Sequence, residues 1–419
     1  MTRTLFLHIG SHKTGTTSIQ NFLAHNRDLL AARGYGYPVT GKGLNLGGVI
    51  GNTMAEGDPS SAQIGMGRRK TVLVDNIVSQ PTDIVIGSSE GFSYVHDAQD
   101  IQDFANLLRP HFSTIKIITY LRRQDQLAVS HHQEGANPQN KPAVRLHGYS
   151  PTALPTRNDL QHCYFDYATR IGMWADAFGD DAMIVRVYDR KLLKSGDSVA
   201  DFLDIVGLGD LDISTQPEKN VSMGFHQSKV GHILNQIIES QYVKASVMAR
   251  LPREGKLLPR RDDARRFLEP YLDTNRRLNE RFRISALPHL FSDDFSSYPE
   301  DGSEDWTEPT ADATIRACAE VIQTLAAGNA SFSKDELTAA ATALATSHPE
   351  MSQRFMAAAL AIRPNSKRLQ GRAQALEGKG KRRAKRDQAS ASTAEPVNPK
   401  RRRVENRRAR KSTAAPDHG

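Results

Sequence analysis

Two short stretches carry residue types suited to holding anions, each placed where an apolar run stops. The first is Gly10-Ser11-His12-Lys13-Thr14-Gly15-Thr16-Thr17-Ser18. Glycines at both ends let the main chain approach a ligand closely. Backbone N–H groups in such a loop converge on an anion, and a helix starting at the loop adds a favourable dipole. Lys13 supplies a positive charge, and Thr14, Thr16, Thr17 and Ser18 supply hydroxyl donors. The second stretch is Tyr120-Leu121-Arg122-Arg123-Gln124-Asp125-Gln126-Leu127-Ala128-Val129-Ser130. An arginine at a strand end can clamp a phosphate bidentately. Positive charge at the start of a helix opposes the helix dipole, so a bound anion would explain the placement.

These residues need a rigid frame, and the hydrophobic pattern describes one. Residues 4–9 form a short apolar run ending in Gly10, the mark of a buried strand. Residues 17–32 carry Ile19, Phe22, Leu23, Leu29 and Leu30 at helical spacing. Further strands are expected at 83–87, 116–121 and 182–187, and helices at about 66–79, 97–110, 124–134, 164–178 and 197–206. Residues 36–62 read as an irregular excursion, and 135–158, with four prolines and two glycines, as a long loop. Alternating strands and helices predict an α/β fold: a parallel sheet flanked by helices, with ligands beyond the carboxyl ends of the strands. Residues 225–283 read as helical with a basic, proline-containing break at 251–261, 286–308 as an acidic, aromatic loop, and 310–362 as Ala-rich helices. The segment 355–365 looks like the end of one tetratricopeptide-type repeat, but without a second copy an ordinary helical hairpin is expected. The domain boundaries drawn from this reading are 1–285, 286–365 and 366–419.

The spacing of Gly10 and Gly15 is that of a nucleotide P-loop, G-x-x-x-x-G-K-[ST]. Thr16, however, stands where the lysine belongs, and the lysine sits inside the loop as Lys13. The phosphate cradle is kept while the triphosphate geometry is not, and no apolar strand clearly ends in an aspartate for Mg²⁺. Asp189 comes nearest, and Arg190 follows it directly. No metal is expected.

The string Lys13-Thr14-Gly15-Thr16-Thr17-Ser18 resembles the first-strand hallmark of sulfotransferases that use 3′-phosphoadenosine 5′-phosphosulfate, in the bacterial, carbohydrate-sulfotransferase style. His12 replaces the proline that commonly precedes that lysine. The resemblance implies a P-loop NTPase-like sheet and implies that the donor is held by Lys13, Thr14, Gly15, Thr16, Thr17 and Ser18 at its 5′ end. It further implies that Arg122 and Ser130, eight residues apart, hold the 3′-phosphate, with Arg123 the competing choice at the strand end. Tyr188, in Val185-Arg186-Val187-Tyr188-Asp189, takes the place of a family tyrosine near the adenine, and Asn220-Val221-Ser222 corresponds to a closing segment. Sulfuryl transfer needs a group to stabilise the departing bridging oxygen and a base for the acceptor. Lys13 is expected in the first role and Glu90, in Ser88-Ser89-Glu90-Gly91 after the second strand, in the second. Glu90 could instead cap the next helix or pair with Arg122. A glutamate there points to a carbohydrate-like hydroxyl or amine as acceptor. Two alternatives remain open: a nucleotide kinase or NTPase with a modified P-loop, and a non-catalytic nucleotide- or nucleic-acid-binding protein.

The whole chain of 419 residues has a formal charge of +8, yet residues 367–419 alone carry a net +12, leaving the body at −4. The body therefore gives no electrostatic reason to bind nucleic acid. The basic tail, with 381–386 and 400–403 as its densest runs, has almost no aromatic or β-branched residues, so disorder and weak polyanion binding are expected. No apolar run approaches the roughly 18 residues of a membrane-spanning helix. Two cysteines, Cys163 and Cys318, cannot form a disulfide framework, and a cytoplasmic location is expected. His8 is read as a hydrogen-bonded core histidine, and His131 and His132 as one turn of a helix face rather than catalytic residues.

Overall fold

A computed structural model describes residues 2–41, 43–50, 64–137, 141–212, 223–326, 334–345, 349–363 and 366–376. The chain divides into two compact units, Met1–Ile322 and Gln323–Gly419.

The first unit is built on a five-stranded parallel sheet. Its strands are β1 (Thr4–His8), β2 (Tyr35–Gly36), β3 (Ile84–Ser88), β4 (Thr114–Leu121) and β5 (Met183–Val187), in the order β2-β3-β1-β4-β5. The expected α/β class holds. Only β2, a two-residue edge strand, escaped the sequence pattern, being too short for periodicity to register. The register pairs His8 with Ser88 on one side and with Ile118 on the other, so β1 is central. Side chains alternate between the two faces. Leu5, Leu7, Val85 and Ile117 enter one core with Phe92, Phe104 and Trp174, whereas Ile86, Ile118 and Tyr120 enter a second core with Ile19, Phe22, Leu23 and Phe202. Both faces are covered, which is why the strands are nearly continuous apolar runs.

The helices that matter for the site are α1 (Thr16–His25), α2 (Arg27–Ala32), α3 (Arg69–Val78), α4 (Ala98–Leu108), α5 (Gln124–Gly135), α6 (Lys141–His147), α7 (Asp159–Phe165), α8 (Tyr167–Phe178) and α9 (Ser198–Ile205). The expected helix over 17–32 is two helices, because Asn26 leaves helical geometry between α1 and α2 and its side chain donates to the Phe22 carbonyl. The expected loop 135–158 contains α6: the prolines around it dominated the composition, but Ala143, Leu146 and His147 are buried. Residues 138–140 lie outside the described residues, as does the segment Asn220-Val221-Ser222. Four more helices follow, α10 (Phe225–Ile237), α11 (Gln241–Arg250), α12 (Arg261–Leu268) and α13 (Leu272–Phe282), with the expected break between α11 and α12. The acidic 286–307 stretch, within the first unit, has neither helix nor strand and is fastened beside the end of β4 by Arg123, whose Nη1 donates to the carbonyls of Ser292 and Asp294. Helix α14 (Glu308–Ala326) carries the boundary between the units.

In the second unit α15 (Lys334–Leu344) and α16 (Pro349–Ile362) pair through Leu337, Ala341, Met356 and Ala359, as a helical hairpin does. Residues 367–376 are also helical, and Leu369 is buried in that cluster, so order continues past 366, where the sequence reading begins the tail. The basic runs 381–386 and 400–403 lie outside the described residues. Among the described residues no helix is long and apolar enough to cross a membrane.

Candidate active site at three strand tips

The carboxyl ends of β3, β1 and β4 lie side by side, and main-chain bonds continue beyond the strands proper. Ser89 N–H donates to the His8 carbonyl at 3.0 Å, Ser11 N–H to the Tyr120 carbonyl at 3.1 Å, and Tyr120 N–H to the Gly10 carbonyl at 2.9 Å. Parallel pairing in this register therefore puts the glycine loop, Glu90 and Arg122 at one edge of the sheet.

The loop is closed from within. The hydroxyls of Thr14 and Thr16 both donate to the Ser11 carbonyl, at 2.6 and 3.0 Å, and both side chains are buried. These two hydroxyls shape the loop, so what they leave for a ligand is main-chain N–H. Thr17 is exposed and Ser18 half-buried at the start of α1. Ser18 and Ile19 N–H reach back to the Gly15 carbonyl, whereas the first N–H groups of a helix have no acceptor within it. Lys13 adopts φ 58°, a left-handed conformation that costs a lysine about 1–2 kcal/mol and that the loop closure imposes. Gly15 has φ 81°, and a Cβ there would lie 2.7 Å from Ser198 Cβ and 3.4 Å from Tyr188 Cε2. The glycine is needed twice over, for its backbone angle and because α9 and Tyr188 press against it.

Lys13 and Arg122 meet at this end of the sheet. Arg122 Nη1 donates to the Lys13 carbonyl at 3.4 Å, and its Nε lies 3.5 Å from Gln126 Oε1. The guanidinium stands 6.0 Å from the centre of the Tyr188 ring, and Tyr167 donates its hydroxyl proton to the Arg122 carbonyl at 2.7 Å. Arg123 points away. It forms a fork on Asp125, at 2.7 and 3.0 Å, and is buried, so it braces the fold. Lys13 Nζ meets Glu134 Oε1 at 3.0 Å, with both side chains about a third exposed. Gln126, Ser130 and Glu134 succeed one another at four-residue spacing on α5 and so share a face. Gln126 touches Arg122 and Glu134 touches Lys13, and Ser130 occupies the position between them along that face of α5.

Glu90 begins a 3-10 turn, Glu90–Tyr94, and packs against the loop: a Cβ on Gly10 would lie 3.2 Å from Glu90 Cα. Its carboxylate pairs with neither Arg122 nor Lys13. Gln20 donates to Oε2 at 2.7 Å, and Asn45 donates to Gln20 Oε1 at 2.9 Å, which fixes which way the Gln20 amide faces. The turn is capped by Ser89, whose hydroxyl accepts from Gly91 N–H, so the capping role does not fall to Glu90.

Below the loop lies a layer of rings. His12 stacks on His131 with 4.5 Å between centroids and tilts against Tyr94 at 4.4 Å. Its Nδ1 lies 2.9 Å from the Tyr164 hydroxyl and 3.0 Å from Ser93 Oγ. His131 continues to Tyr94 at 3.1 Å and to His147 at 3.2 Å, while His132 stacks on His232 at 4.1 Å. Burial pushes His12 down to about 3, with the Arg170 charge adding to the effect, and burial alone pushes His8 to about 3. Burial lowers His132 to about 4 and His232 to about 3, and takes His131 and His147 well below the ordinary histidine range. All six are neutral at pH 7. His8 bonds Ser88 at 2.9 Å within the sheet.

Sequence reading singled out neither Glu134 nor Gln20 nor Arg170. The four-residue stride from Arg122 through Ser130 would have reached Glu134. The apolar stripe Tyr167, Ile171, Trp174 would have shown Arg170 as a charge on a buried face. Asp189, the nearest approach to a magnesium aspartate, accepts from Lys191 N–H through Oδ1 and so closes a local turn.

No family model matches the chain. An uncharacterized protein of Archaeoglobus fulgidus is 28% identical over 203 residues, 46% of this chain and 52% of that protein. The chain thus spans about half the length of the curated relative it matches. Among solved structures, a sulfotransferase from Alicyclobacillus acidocaldarius covers 68% of this chain and 98% of its own, at 14% identity and a TM-score of 0.35.

Proposed function

We propose that the chain is a sulfotransferase that takes its sulfuryl group from 3′-phosphoadenosine 5′-phosphosulfate and gives it to a hydroxyl or amine of a carbohydrate-like acceptor. The observation that carries the reading is the meeting of Lys13 and Arg122 across one hydrogen bond, with Glu90 against Gly10 beside them. One cation sits on the loop and the other at the neighbouring strand tip, as a nucleotide charged at both its 5′ and 3′ positions requires.

The residues fit such a donor. The main-chain N–H groups of the loop and the start of α1 would hold its 5′ end, Arg122 and Ser130 its 3′-phosphate, and Tyr188 would lie along it. When bound, it supplies an activated sulfur centre. Glu90, held by Gln20, would take the proton from the acceptor as the oxygen–sulfur bond forms. Lys13 would leave Glu134 and neutralise the bridging oxygen as the sulfur–oxygen bond to the leaving bisphosphate breaks. The Lys13–Glu134 pair is exposed enough to contribute at most about 1 kcal/mol, so releasing the lysine is cheap.

The test is a thermal-shift titration with adenosine 3′,5′-bisphosphate against adenosine 5′-monophosphate, followed by an acceptor screen with labelled donor. Selective stabilisation by the bisphosphate and label transfer in excess EDTA are expected. Equal response to both nucleotides would remove the case. The kinase alternative would require a triphosphate and would stop in EDTA.

A further inference from the structure

Two arginines in the first unit are almost wholly buried, and they are treated very differently. Arg123, 4% exposed, has a carboxylate fork and two carbonyls. Arg170, 1% exposed, makes no hydrogen bond or ion pair with a carboxylate among the described residues, and Asp166 acts on it only through space. Its Nη2 donates to Ser11 Oγ at 2.9 Å and its Nη1 to the Ser93 carbonyl at 3.3 Å, while its Nε is buried without a partner. The guanidinium lies between the rings of Tyr164 and Tyr167, 5.0 and 5.1 Å from their centres. A buried charge without a counter-ion is unfavourable, and an apolar side chain of similar volume would fill the same slot without that cost.

The position of this charge suggests its counter-ion. Ser11 is a residue of the glycine loop, so Arg170 sits directly behind the cradle. Tyr167, one turn earlier on α8, holds the Arg122 carbonyl. A single turn of α8 thus braces both strand tips of the cleft, one through Ser11 and one through Arg122.

We propose that Arg170 is a positioning residue whose buried positive charge is balanced, through Ser11 and the glycine loop, by the anion that the loop holds. This rests on the reading of the loop as the seat of the donor's 5′ end. In the low-dielectric layer behind the loop the attraction is little screened by salt or water. Asp166 acts on this charge only at a distance, so a near counter-ion would arrive only when the loop holds its anion, and anion binding and settling of the loop would be coupled.

The experiment compares wild type, Arg170→Met and Arg170→Lys, measuring ligand-free melting and the affinity for two probes, adenosine 3′,5′-bisphosphate and inorganic pyrophosphate. Arg170→Met is expected to melt no lower than wild type without ligand and to bind both probes about tenfold or more weakly. Arg170→Lys, which keeps the charge but not the fork, should fall between and serves as the readout if the Met variant does not fold. A Met or Lys variant that melts lower yet binds both probes as wild type does overturns the proposal, because Arg170 would then be structural. Wild type that binds neither probe also overturns it. Wild type that binds pyrophosphate in an Arg170-dependent way but shows no preference for the adenosine bisphosphate supports the role of Arg170 and removes the donor reading instead.

Discussion

Replacing Arg122 by alanine separates a phosphate anchor from a structural arginine. In the structure its guanidinium makes contacts at 3.4 and 3.5 Å, at the weak end of the hydrogen-bond range, and its ring contact with Tyr188 at 6.0 Å is equally marginal. No carboxylate pairs with it among the described residues. The substitution should therefore cost the ligand-free protein no more than about 0.5 kcal/mol. A bound 3′-phosphate would gain charge-assisted bonds from this side chain, each about 1.5–3 kcal/mol net. At 1.4 kcal/mol per decade, loss of one such bond means roughly 10- to 150-fold in Kd. Isothermal titration with adenosine 3′,5′-bisphosphate and with adenosine 5′-monophosphate gives the answer directly. Arg122→Ala should weaken the first by that factor and leave the second unchanged, so that the discrimination between them collapses. Arg122→Lys should recover only part, since an ammonium lacks the fork. If both nucleotides weaken alike, or if the discrimination survives, Arg122 does not read the 3′-phosphate and the two-anchor cleft is wrong.

Four other outcomes are expected. Glu90→Gln should leave bisphosphate affinity intact and lower transfer at least about 100-fold, as loss of a general base does; retained transfer measured with labelled donor would assign the base elsewhere. Gly15→Ala should cost about 2 kcal/mol or more in urea unfolding, from the left-handed backbone and from contact with Ser198, and the second change Ser198→Gly should recover only the contact part. Glu134→Gln should tighten donor binding by no more than about fivefold, because an exposed ion pair is weak; a large loss of affinity would show that Glu134 holds more than Lys13. Stability should fall in acid. The buried histidines have folded values near 3 to 4 against about 6.5 unfolded, so the unfolded chain binds more protons in that window. Their contribution is complete above about pH 6.5 and is lost as pH falls from there towards about 3, at up to about 1.4 kcal/mol per pH unit for each histidine, and a melting temperature constant across that range would contradict their burial as neutral rings.

The strands were legible because a parallel sheet covered on both faces leaves uninterrupted apolar runs, and 4–9, 83–87, 116–121 and 182–187 are such runs. Their order was not written in any run, since pairing is decided by the packing of α1 and α9 on one face and α3, α4 and α8 on the other. The loop was legible from Gly10, Lys13 and Gly15, because few backbones tolerate that combination. The work done by Thr14 and Thr16 was hidden: a threonine hydroxyl looks the same in sequence whether it faces a ligand or its own Ser11 carbonyl. The histidines 131 and 132 looked like two residues of one helix face, yet they turn to different neighbours, His12 and His232, which lie about 120 and 100 residues away in sequence. Arg170 was different: the stripe Tyr167, Ile171, Trp174 put it on a buried face, and it was passed over because a lone arginine in a helix is usually solvated.

The charges around the cleft fall into two kinds, and that division bears on mechanism more than their number does. Arg170 and Glu90 are held in place, the first between two tyrosine rings with Ser11 and Ser93, the second by Gln20 and Asn45. Lys13 and Arg122 are loosely engaged, the first by a part-exposed ion pair and the second by contacts near the limit of hydrogen bonding. In the proposed reaction Glu90 removes the acceptor's proton, and such a base must already stand where the acceptor arrives, so its fixed position fits that proposal. In the same proposal Lys13 follows charge onto the departing oxygen, which needs freedom to move, so the weak Glu134 tether fits that role. The neutral state of His12 belongs to the same logic. With its Nδ1 in hydrogen-bond contact with the Tyr164 hydroxyl and Arg170 close by, its neutral ring adds no further positive charge next to Lys13, so the loop's movable charge remains the lysine alone. A proline at position 12 could shape the turn but could not make the bonds to Tyr164 and Ser93 that tie the loop to the layer beneath it.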